Sequence, residues 1–201
     1  AWDFIDMESY RQLWMRHHGY FSLNLATTRG CPFKCNWCAK PIYGNRYNSR
    51  SPKQVVDEIE MLIKNYKPDH FWMSDDIFGL KPGWVQAFRD EVKKRNLSFK
   101  YKIQSRVDLL LEEDTIDALA QSGAETVWVG AESGSQKILD AMDKGITVKQ
   151  IREARWLHTP GCTSPRSPAR RAGPRRAART RGASRSQPWP GTVSAVRGWW
   201  R

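Results

Sequence analysis

The sequence lacks a long apolar run, since no uninterrupted stretch approaches the roughly 18 residues that a membrane-spanning helix needs. Its first residues, 1–6, also lack a basic segment followed by an apolar one, so we expect no signal peptide. These absences predict a cytoplasmic protein with no membrane partner. Hydrophobic residues form 40% of the 201 positions, which is enough to build the core of one ordinary domain.

Acidic residues are missing from the end of the chain, and this absence explains most of the positive charge. Residues 159–201 contain ten arginines but no lysine, aspartate or glutamate, whereas the remaining 158 residues carry 23 basic and 21 acidic side chains. A nucleic-acid-binding domain concentrates basic side chains on its folded surface. The nearly neutral body therefore makes nucleic acid the least favoured partner.

The same terminal segment, 159–201, contains no Phe, Tyr, Met, Ile, Leu or Asn, and Gly, Ala, Pro and Arg fill 27 of its 43 positions. Most of the missing residue types have AT-rich codons, and the abundant ones have GC-rich codons. One hypothesis is an out-of-frame translation of GC-rich DNA; the alternative is a disordered Arg/Pro/Ala tail. The first hypothesis fails if neither of the gene's other two reading frames continues the pattern of the preceding residues.

Strand-like and helix-like segments alternate over residues 21–158. A short helix is predicted over Met7–His17, and Ser51 and Pro52 mark the start of another because they suit the cap and first turn. Repeated strand–helix order implies parallel strands joined by helical crossovers. The predicted strands are 21–27, 70–74, 99–104 and 126–130, and the later helices are 83–95, 112–121, one from Ser135 and one from Thr147 to about His158.

Residues suited to chemistry follow each predicted strand. Barrels of alternating strands and helices carry their active sites on the loops at the carboxyl ends of the strands. In chain order these positions are the cysteines at 31–38, Asp75 with Asp76, Arg106, and Glu132. The agreement between pattern and position predicts one site at this edge of the sheet.

Three of the four cysteines, Cys31, Cys35 and Cys38, have the spacing C-x3-C-x2-C. Clustered thiols in a chain with no export signal favour metal binding over disulfides. A cubane iron–sulfur cluster bound by three cysteines keeps one iron open to another ligand. A structural zinc normally needs four ligands, and the only further cysteine, Cys162, lies in the terminal segment. Zinc and three unrelated thiols stay as the alternatives.

This spacing, with Trp37 directly before the last cysteine and a strand directly before the first, resembles the radical S-adenosylmethionine superfamily. The resemblance implies a partial (β/α) barrel and a [4Fe–4S] cluster whose free iron binds the amino and carboxylate groups of S-adenosylmethionine. One-electron cleavage then gives a 5′-deoxyadenosyl radical that abstracts hydrogen from a substrate. The cofactor supplies the radical chemistry, and the protein positions it.

The flanking segments 27–32 and 36–44 are similar to those of the cobalamin-binding subclass. That subclass includes radical methyltransferases and the anaerobic magnesium-protoporphyrin monomethyl ester cyclase. The similarity covers residues 2–158. It implies methyl transfer or porphyrin-type cyclisation of a small-molecule substrate, an electron donor such as flavodoxin or ferredoxin, and cobalamin held by a domain that this sequence does not contain.

The resemblance also implies roles for individual residues, none of them catalytic. Trp37 would lie near the adenine, and an acid after the second strand would bind the methionine amino group. Arg106 would pair with the methionine carboxylate. The implied metal ligands are Cys31, Cys35 and Cys38, and the implied cofactor contacts are Trp37, Asp75, Asp76, Arg106, Glu132 and Ser133.

Simpler interpretations remain for several of these residues. Trp37 is equally suited to packing within its loop, and either acid, Asp75 or Asp76, to capping a turn. An ion pair with Asp108 is the alternative for Arg106. These interpretations stay open at the level of the sequence.

The domain organisation follows from these segments: a linker with a short helix over 1–20, the incomplete barrel over 21–158, and the tail over 159–201. The family's barrel usually has six strands, and we predict four. An unpaired strand edge and an uncovered apolar face favour aggregation. The alternative to an active enzyme is therefore a catalytically incomplete iron–sulfur-binding remnant.

The isolated chain is accordingly expected to be poorly soluble and inactive. Thermal unfolding combined with size-exclusion chromatography measures the first property. A sharp two-state melt of a monomer, with no dimer or aggregate, would contradict the expectation.

Overall fold

The computed structural model describes residues 2–39 and 42–157, so the predicted tail lies outside the described residues. Four strands form a parallel sheet in chain order, and two short strands form a separate antiparallel pair. The strands are β1 (Ser22–Leu25), β2 (Thr28–Arg29), β3 (Asn48–Ser49), β4 (His70–Met73), β5 (Tyr101–Ser105) and β6 (Ala124–Val129). The sheet order is β1-β4-β5-β6, and the small pair joins β2 to β3.

Helices connect the strands of the parallel sheet, and a short 3-10 helix, Trp2–Phe4, precedes them. The α-helices are α1 (Met7–His18), α2 (Pro52–Tyr66), α3 (Trp84–Lys94), α4 (Val107–Leu110), α5 (Thr115–Gln121), α6 (Gln136–Ala141) and α7 (Val148–Leu157). Within the described residues, no helix is both long and apolar enough to cross a membrane.

Helix α2 begins where its sequence predicts. The Ser51 side chain accepts a hydrogen bond from the Gln54 backbone, and the Gln54 side chain accepts one from the Ser51 backbone. This reciprocal capping satisfies two amide groups that the first helical turn leaves without partners. Pro52 fits the first position because no intrahelical bond is needed there.

The alternating α/β order with four parallel strands confirms the predicted fold class, while several boundaries were wrong by two or three residues. The strands predicted at 99–104 and 126–130 begin at Tyr101 and Ala124. The predicted strand 21–27 is shorter, because residues 26–29 turn away to form β2. The predicted helix 112–121 begins only at Thr115, after Asp114 adopts a left-handed backbone with φ of 62°. A separate helical turn, α4, was missed; three apolar side chains within it are buried.

One face of the parallel sheet holds the main core. Alternate strand residues point toward α2, α3 and α5, and the strand contribution to the buried cluster is Leu23, Leu25, Phe71, Met73, Tyr101 and Ile103. The opposite face carries Trp72, Lys102 and Trp128, with the Lys102 ammonium 3.8 Å from the Trp72 ring centroid. Trp128 remains 45% exposed, so the described elements cover this face less completely.

Gly19 and Gly123 both have a left-handed backbone, but an added side chain would clash with a neighbour only at Gly123. A Cβ on Gly123 would lie 2.1 Å from the Phe99 carbonyl oxygen, whereas one on Gly19 would meet nothing within 4 Å. Gly19→Ala is expected to cost about 1 kcal/mol, because only the backbone conformation is unfavourable. Gly123→Ala should cost clearly more, because the turn before β6 must also shift.

Urea unfolding of both variants beside wild type measures the difference. Equal losses of stability would show that the close approach between Gly123 and Phe99 does not constrain the turn.

Candidate cluster and cofactor site

The loops that follow the four parallel strands lie at one edge of the sheet, because parallel strands end on the same side. The cysteine segment follows β1 and β2, the two acids follow β4, Arg106 follows β5, and Glu132 follows β6. The structure therefore places every predicted position at the carboxyl edge. What these side chains contact there differs from one loop to the next.

The cysteine segment leaves β2 through Gly30, whose φ is +82°. A Cβ at Gly30 would lie 1.8 Å from the carbonyl oxygen of Arg46, so only glycine allows the returning chain to approach this closely. The Cys31 amide donates a hydrogen bond to the Gly44 carbonyl at 3.4 Å. The base of the loop is thereby closed at Cys31, the first of the three candidate ligands.

The three thiols have the chemistry of iron–sulfur ligands. Cys31 and Cys35 are half-buried, Cys38 is exposed, and none of the three forms a disulfide. Among residues 2–39 and 42–157, no three His, Cys, Asp or Glu side chains are grouped as metal ligands would be. The donor set fits the cluster, but the three sulfur atoms would have to converge. The loop lies outside regular secondary structure at these residues, so convergence need not disturb the core.

The cysteine loop is docked against the end of α6. The Asn36 side chain donates to the Ala141 carbonyl at 2.5 Å, and the Asn36 amide donates to the Met142 carbonyl at 3.1 Å. Carbonyls at the end of a helix have no intrahelical partner. Asn36 supplies partners for two of them and joins the loop to a segment more than one hundred residues away in sequence.

Arg106 lies beneath the same loop and is only 5% exposed. Its Nε and Nη2 atoms donate to the Asp108 carboxylate at 2.9 and 3.0 Å, and its Nη1 donates to the Lys144 carbonyl at 3.0 Å. The guanidinium carbon is 3.7 Å from the centroid of the Phe33 ring. The ion pair with Asp108 is therefore present, although the arginine is buried rather than on the surface. A second carboxylate at Arg106 would have to share or displace Asp108.

Glu132 follows β6 with a left-handed backbone, φ of 57°. Its Oε1 accepts a hydrogen bond from the Lys144 ammonium at 3.1 Å. That ammonium is 5.7 Å from the ring centroid of Trp37, which is itself 51% exposed. Ser133 turns tightly beside Glu132, with its hydroxyl accepting from the Ser135 amide at 3.1 Å. Trp37, Arg106 and Glu132 thus surround Lys144.

Asp75 and Asp76 have opposite environments. Asp76 is exposed, whereas Asp75 is 2% exposed. The Asp75 carboxylate accepts from the amides of Thr27 at 2.7 Å and Thr28 at 2.9 Å, and from the Thr27 hydroxyl. Burial raises the pKa of Asp75 to about 6, although these hydrogen bonds oppose the increase. Asp75 therefore ties the end of β4 to the end of β1.

Two residues that join these loops, Asn36 and Lys144, were not predicted from the sequence. Asn36 lies inside the cysteine motif but carries no signal of its own. Lys144 follows a short helix and precedes a glycine, which is an ordinary helix end. Only the three-dimensional contacts distinguish either residue.

The raised pKa of Asp75 predicts a pH-dependent stability. The folded-state pKa of about 6 exceeds the unfolded value of about 3.9, so the folded chain binds an extra proton between these limits. Stability should therefore fall as pH rises from about 4 to about 6, by an amount on the order of 2 kcal/mol, and stay lower above that range. Asp75→Asn keeps the shape and can bond to both threonines, so it should remove this slope.

Urea unfolding at several pH values, with Asp117→Asn in α5 as the exposed control, measures the effect. A slope that persists in Asp75→Asn would assign it to another group.

Comparison with known proteins identifies the family. Residues 25–155 match the profile of the Radical SAM superfamily. The chain is 34% identical over 127 residues to an anaerobic magnesium-protoporphyrin IX monomethyl ester cyclase of Rubrivivax gelatinosus, covering 63% of this chain and 23% of that protein. It is 32% identical over 129 residues to an uncharacterized methyltransferase of Pyrococcus horikoshii, covering 64% of this chain and 28% of the relative.

A solved structure shares the fold. The cobalamin-dependent S-adenosylmethionine radical enzyme OxsB, with aqua-cobalamin and S-adenosylmethionine bound, superposes with a TM-score of 0.57 at 25% identity. The match covers 68% of this chain and 22% of that structure. The chain thus spans less than a third of the length of each of these relatives. The family match over most of its described length shows that this chain belongs to the Radical SAM superfamily of enzymes.

Proposed function

We propose that this chain binds a [4Fe–4S] cluster through Cys31, Cys35 and Cys38 and reductively cleaves S-adenosylmethionine. The observation that carries the proposal is the position of the cysteine loop. It lies at the carboxyl edge of a parallel sheet, with Arg106 and Lys144 beside it and Glu132 on the next loop. Three thiols in this setting suit a cluster with one iron open to the cofactor.

The bound cluster and cofactor would supply the 5′-deoxyadenosyl radical for hydrogen abstraction. The chain's own residues would bind and orient the cofactor. Trp37 presents a half-exposed ring suited to stacking on the adenine. Asp76 is the exposed acid after β4 and is suited to the amino group, whereas Asp75 is engaged by Thr27 and Thr28.

The remaining contacts follow from the other two loops. Arg106 is suited to the cofactor carboxylate if the pair with Asp108 opens or is shared. Glu132 and Ser133 occupy the turn after β6, and Oε1 of Glu132 accepts a hydrogen bond from the Lys144 ammonium, which lies near Trp37 of the cysteine loop. The four loops together would enclose the cofactor between the sheet edge and the thiols.

We further propose methyl transfer or porphyrin-type oxidative cyclisation of a small-molecule substrate as the reaction of the whole protein. The support comes from relatives named as a methyltransferase and a magnesium-protoporphyrin cyclase. Cobalamin is proposed through the likeness to OxsB, whose structure holds aqua-cobalamin. A one-electron donor such as flavodoxin or ferredoxin would reduce the cluster.

A second candidate function is a catalytically incomplete iron–sulfur-binding remnant. The observation that favours it is the occupation of two predicted cofactor contacts by the protein itself. The Asp75 carboxylate accepts three hydrogen bonds, and the Arg106 guanidinium is paired with Asp108 and backbone carbonyls. Such a chain would bind the cluster without completing turnover.

Anaerobic reconstitution with iron and sulfide, followed by dithionite and S-adenosylmethionine, tests the proposal. The proposal predicts 5′-deoxyadenosine, detected by mass spectrometry, from the wild-type chain, and this result would overturn the expectation, based on the missing strands, that the isolated chain is inactive. Cys35→Ala should lose both the visible cluster absorption and the product, because two thiolates cannot hold the cluster in this arrangement. Cys162→Ala is the matched control, since its cysteine lies outside the motif.

The outcomes separate the candidates. Product that depends on Cys35 but not on Cys162 supports cofactor cleavage. A cluster without product supports the remnant. The absence of any cluster in the wild-type chain would contradict both.

A further inference from the structure

Lys144 lies where three loops of the carboxyl edge meet. Its ammonium donates to Glu132 after β6 and lies 5.7 Å from the Trp37 ring in the cysteine loop. Its carbonyl accepts from Arg106 after β5 at 3.0 Å. Lys144 therefore contacts three loops: its ammonium lies beside the cysteine loop and the loop after β6, and its carbonyl contacts the loop after β5.

The Lys144 side chain is only 10% exposed, which makes its charge costly unless it is compensated. Glu132 provides a carboxylate oxygen at 3.1 Å, and the exposed Trp37 ring offers a second favourable contact for a cation. A group that is buried and paired in this way has little freedom to move. The positions of Glu132 and Trp37 are consequently linked through one ammonium group.

Gly130 makes room for this pair. A Cβ at Gly130 would lie 2.9 Å from both the Lys144 Nζ and the Glu132 Oε1 atoms. The backbone at Gly130, directly after β6, thus forms one wall of the space that holds the ammonium and the carboxylate. The fit restricts the ammonium to a narrow range of positions.

The backbone around Lys144 holds the cysteine loop as well. Asn36 bonds to the carbonyls of Ala141 and Met142, three and two residues before Lys144. The Lys144 amide in turn donates to the Leu139 carbonyl of α6 at 3.1 Å. The Lys144 side chain, through Trp37, and the backbone just before Lys144, through Asn36, therefore both contact the cysteine loop.

We propose that Lys144 is a positioning residue that couples Glu132 to the cysteine loop, so that the cofactor site forms between them. This inference rests on the proposed function for its consequence, but the coupling itself exists in the cluster-free chain. Loss of the ammonium should loosen the loop and weaken cofactor binding. It should leave the three thiols, and hence cluster uptake, unchanged.

Native-state proteolysis of the full cluster-free chain tests the coupling. Lys34 is exposed within the cysteine loop, so a lysine-specific protease followed by mass spectrometry reports how often the loop opens. Lys144→Met should speed cleavage after Lys34 by about threefold to tenfold, the range expected for losing a partly desolvated cation contact. Lys149→Met, which removes an exposed lysine from α7, is the control and should not change the rate.

Three further variants separate the loss of the ammonium charge from general misfolding. Lys144→Arg retains the positive charge and should preserve most of the protection of Lys34 against cleavage. That result would show that the faster cleavage of Lys144→Met reports loss of charge rather than misfolding. Glu132→Gln should speed cleavage, and the double variant with Lys144→Met should be no faster than Lys144→Met alone. Equal cleavage rates in Lys144→Met and wild type, or additive effects in the double variant, would overturn the coupling.

The reconstituted chain provides the second readout. Lys144→Met should contain as much iron as wild type, while its KM for S-adenosylmethionine in forming 5′-deoxyadenosine rises about tenfold with little change in kcat, the pattern of lost binding. An unchanged KM would overturn the positioning role. If wild type forms no product, the proposed function fails, whereas proteolysis at Lys34 still decides whether Lys144 couples the loops.

Discussion

The parallel pairing of β1, β4, β5 and β6 is the constraint on which the site depends. Each strand must end at the same edge, so each following loop starts beside its neighbour even though long helical segments separate them in sequence. Burial of one sheet face against α2, α3 and α5 holds this register, because a shift by one residue would expose the core side chains. The arrangement of the loops at the edge therefore relies on packing far from it.

Two separate networks organise that edge. Between β1 and β4, the buried Asp75 joins the loops through Thr27 and Thr28, at the cost of a carboxylate held away from water. The second network joins the cysteine loop to the loops after β5 and β6 through the cationic side chains of Arg106 and Lys144. The first network serves the fold, and the second lies where the proposed cofactor would bind. Asp75 is buried and Asp76 is exposed, and this difference explains why the two neighbouring acids suit different roles.

Much of the fold could be predicted because local signals agree with the packing. The cap and first-turn pair, Ser51 and Pro52, and the apolar spacing of α2 indicate the same helix. Helix α4 could not be predicted, since a four-residue turn contains too few positions to show a period. The pair β2–β3 is also too short to give an alternating pattern. The residues 158–201, including the predicted tail, lie outside the described residues.

The candidate site divides in a similar way. The cysteine spacing indicates three candidate ligands because it is a local pattern, and the strand order places the other loops beside them. The environment of each side chain is not local: the burial of Asp75, the pairing of Arg106 with Asp108, and the contacts of Lys144 arise from residues far apart in sequence. Residue type and position along the chain could therefore suggest Asp75 and Asp76 together, but not separate their roles.

Electron paramagnetic resonance of the reconstituted, dithionite-reduced chain, recorded with and without S-adenosylmethionine, tests the central claim most directly. A cluster held by Cys31, Cys35 and Cys38 has one iron without a protein ligand, so the account predicts that the cofactor changes the g-values of the reduced cluster. A spectrum that is identical with and without S-adenosylmethionine would show that the cofactor does not reach the iron, and would contradict the proposed site.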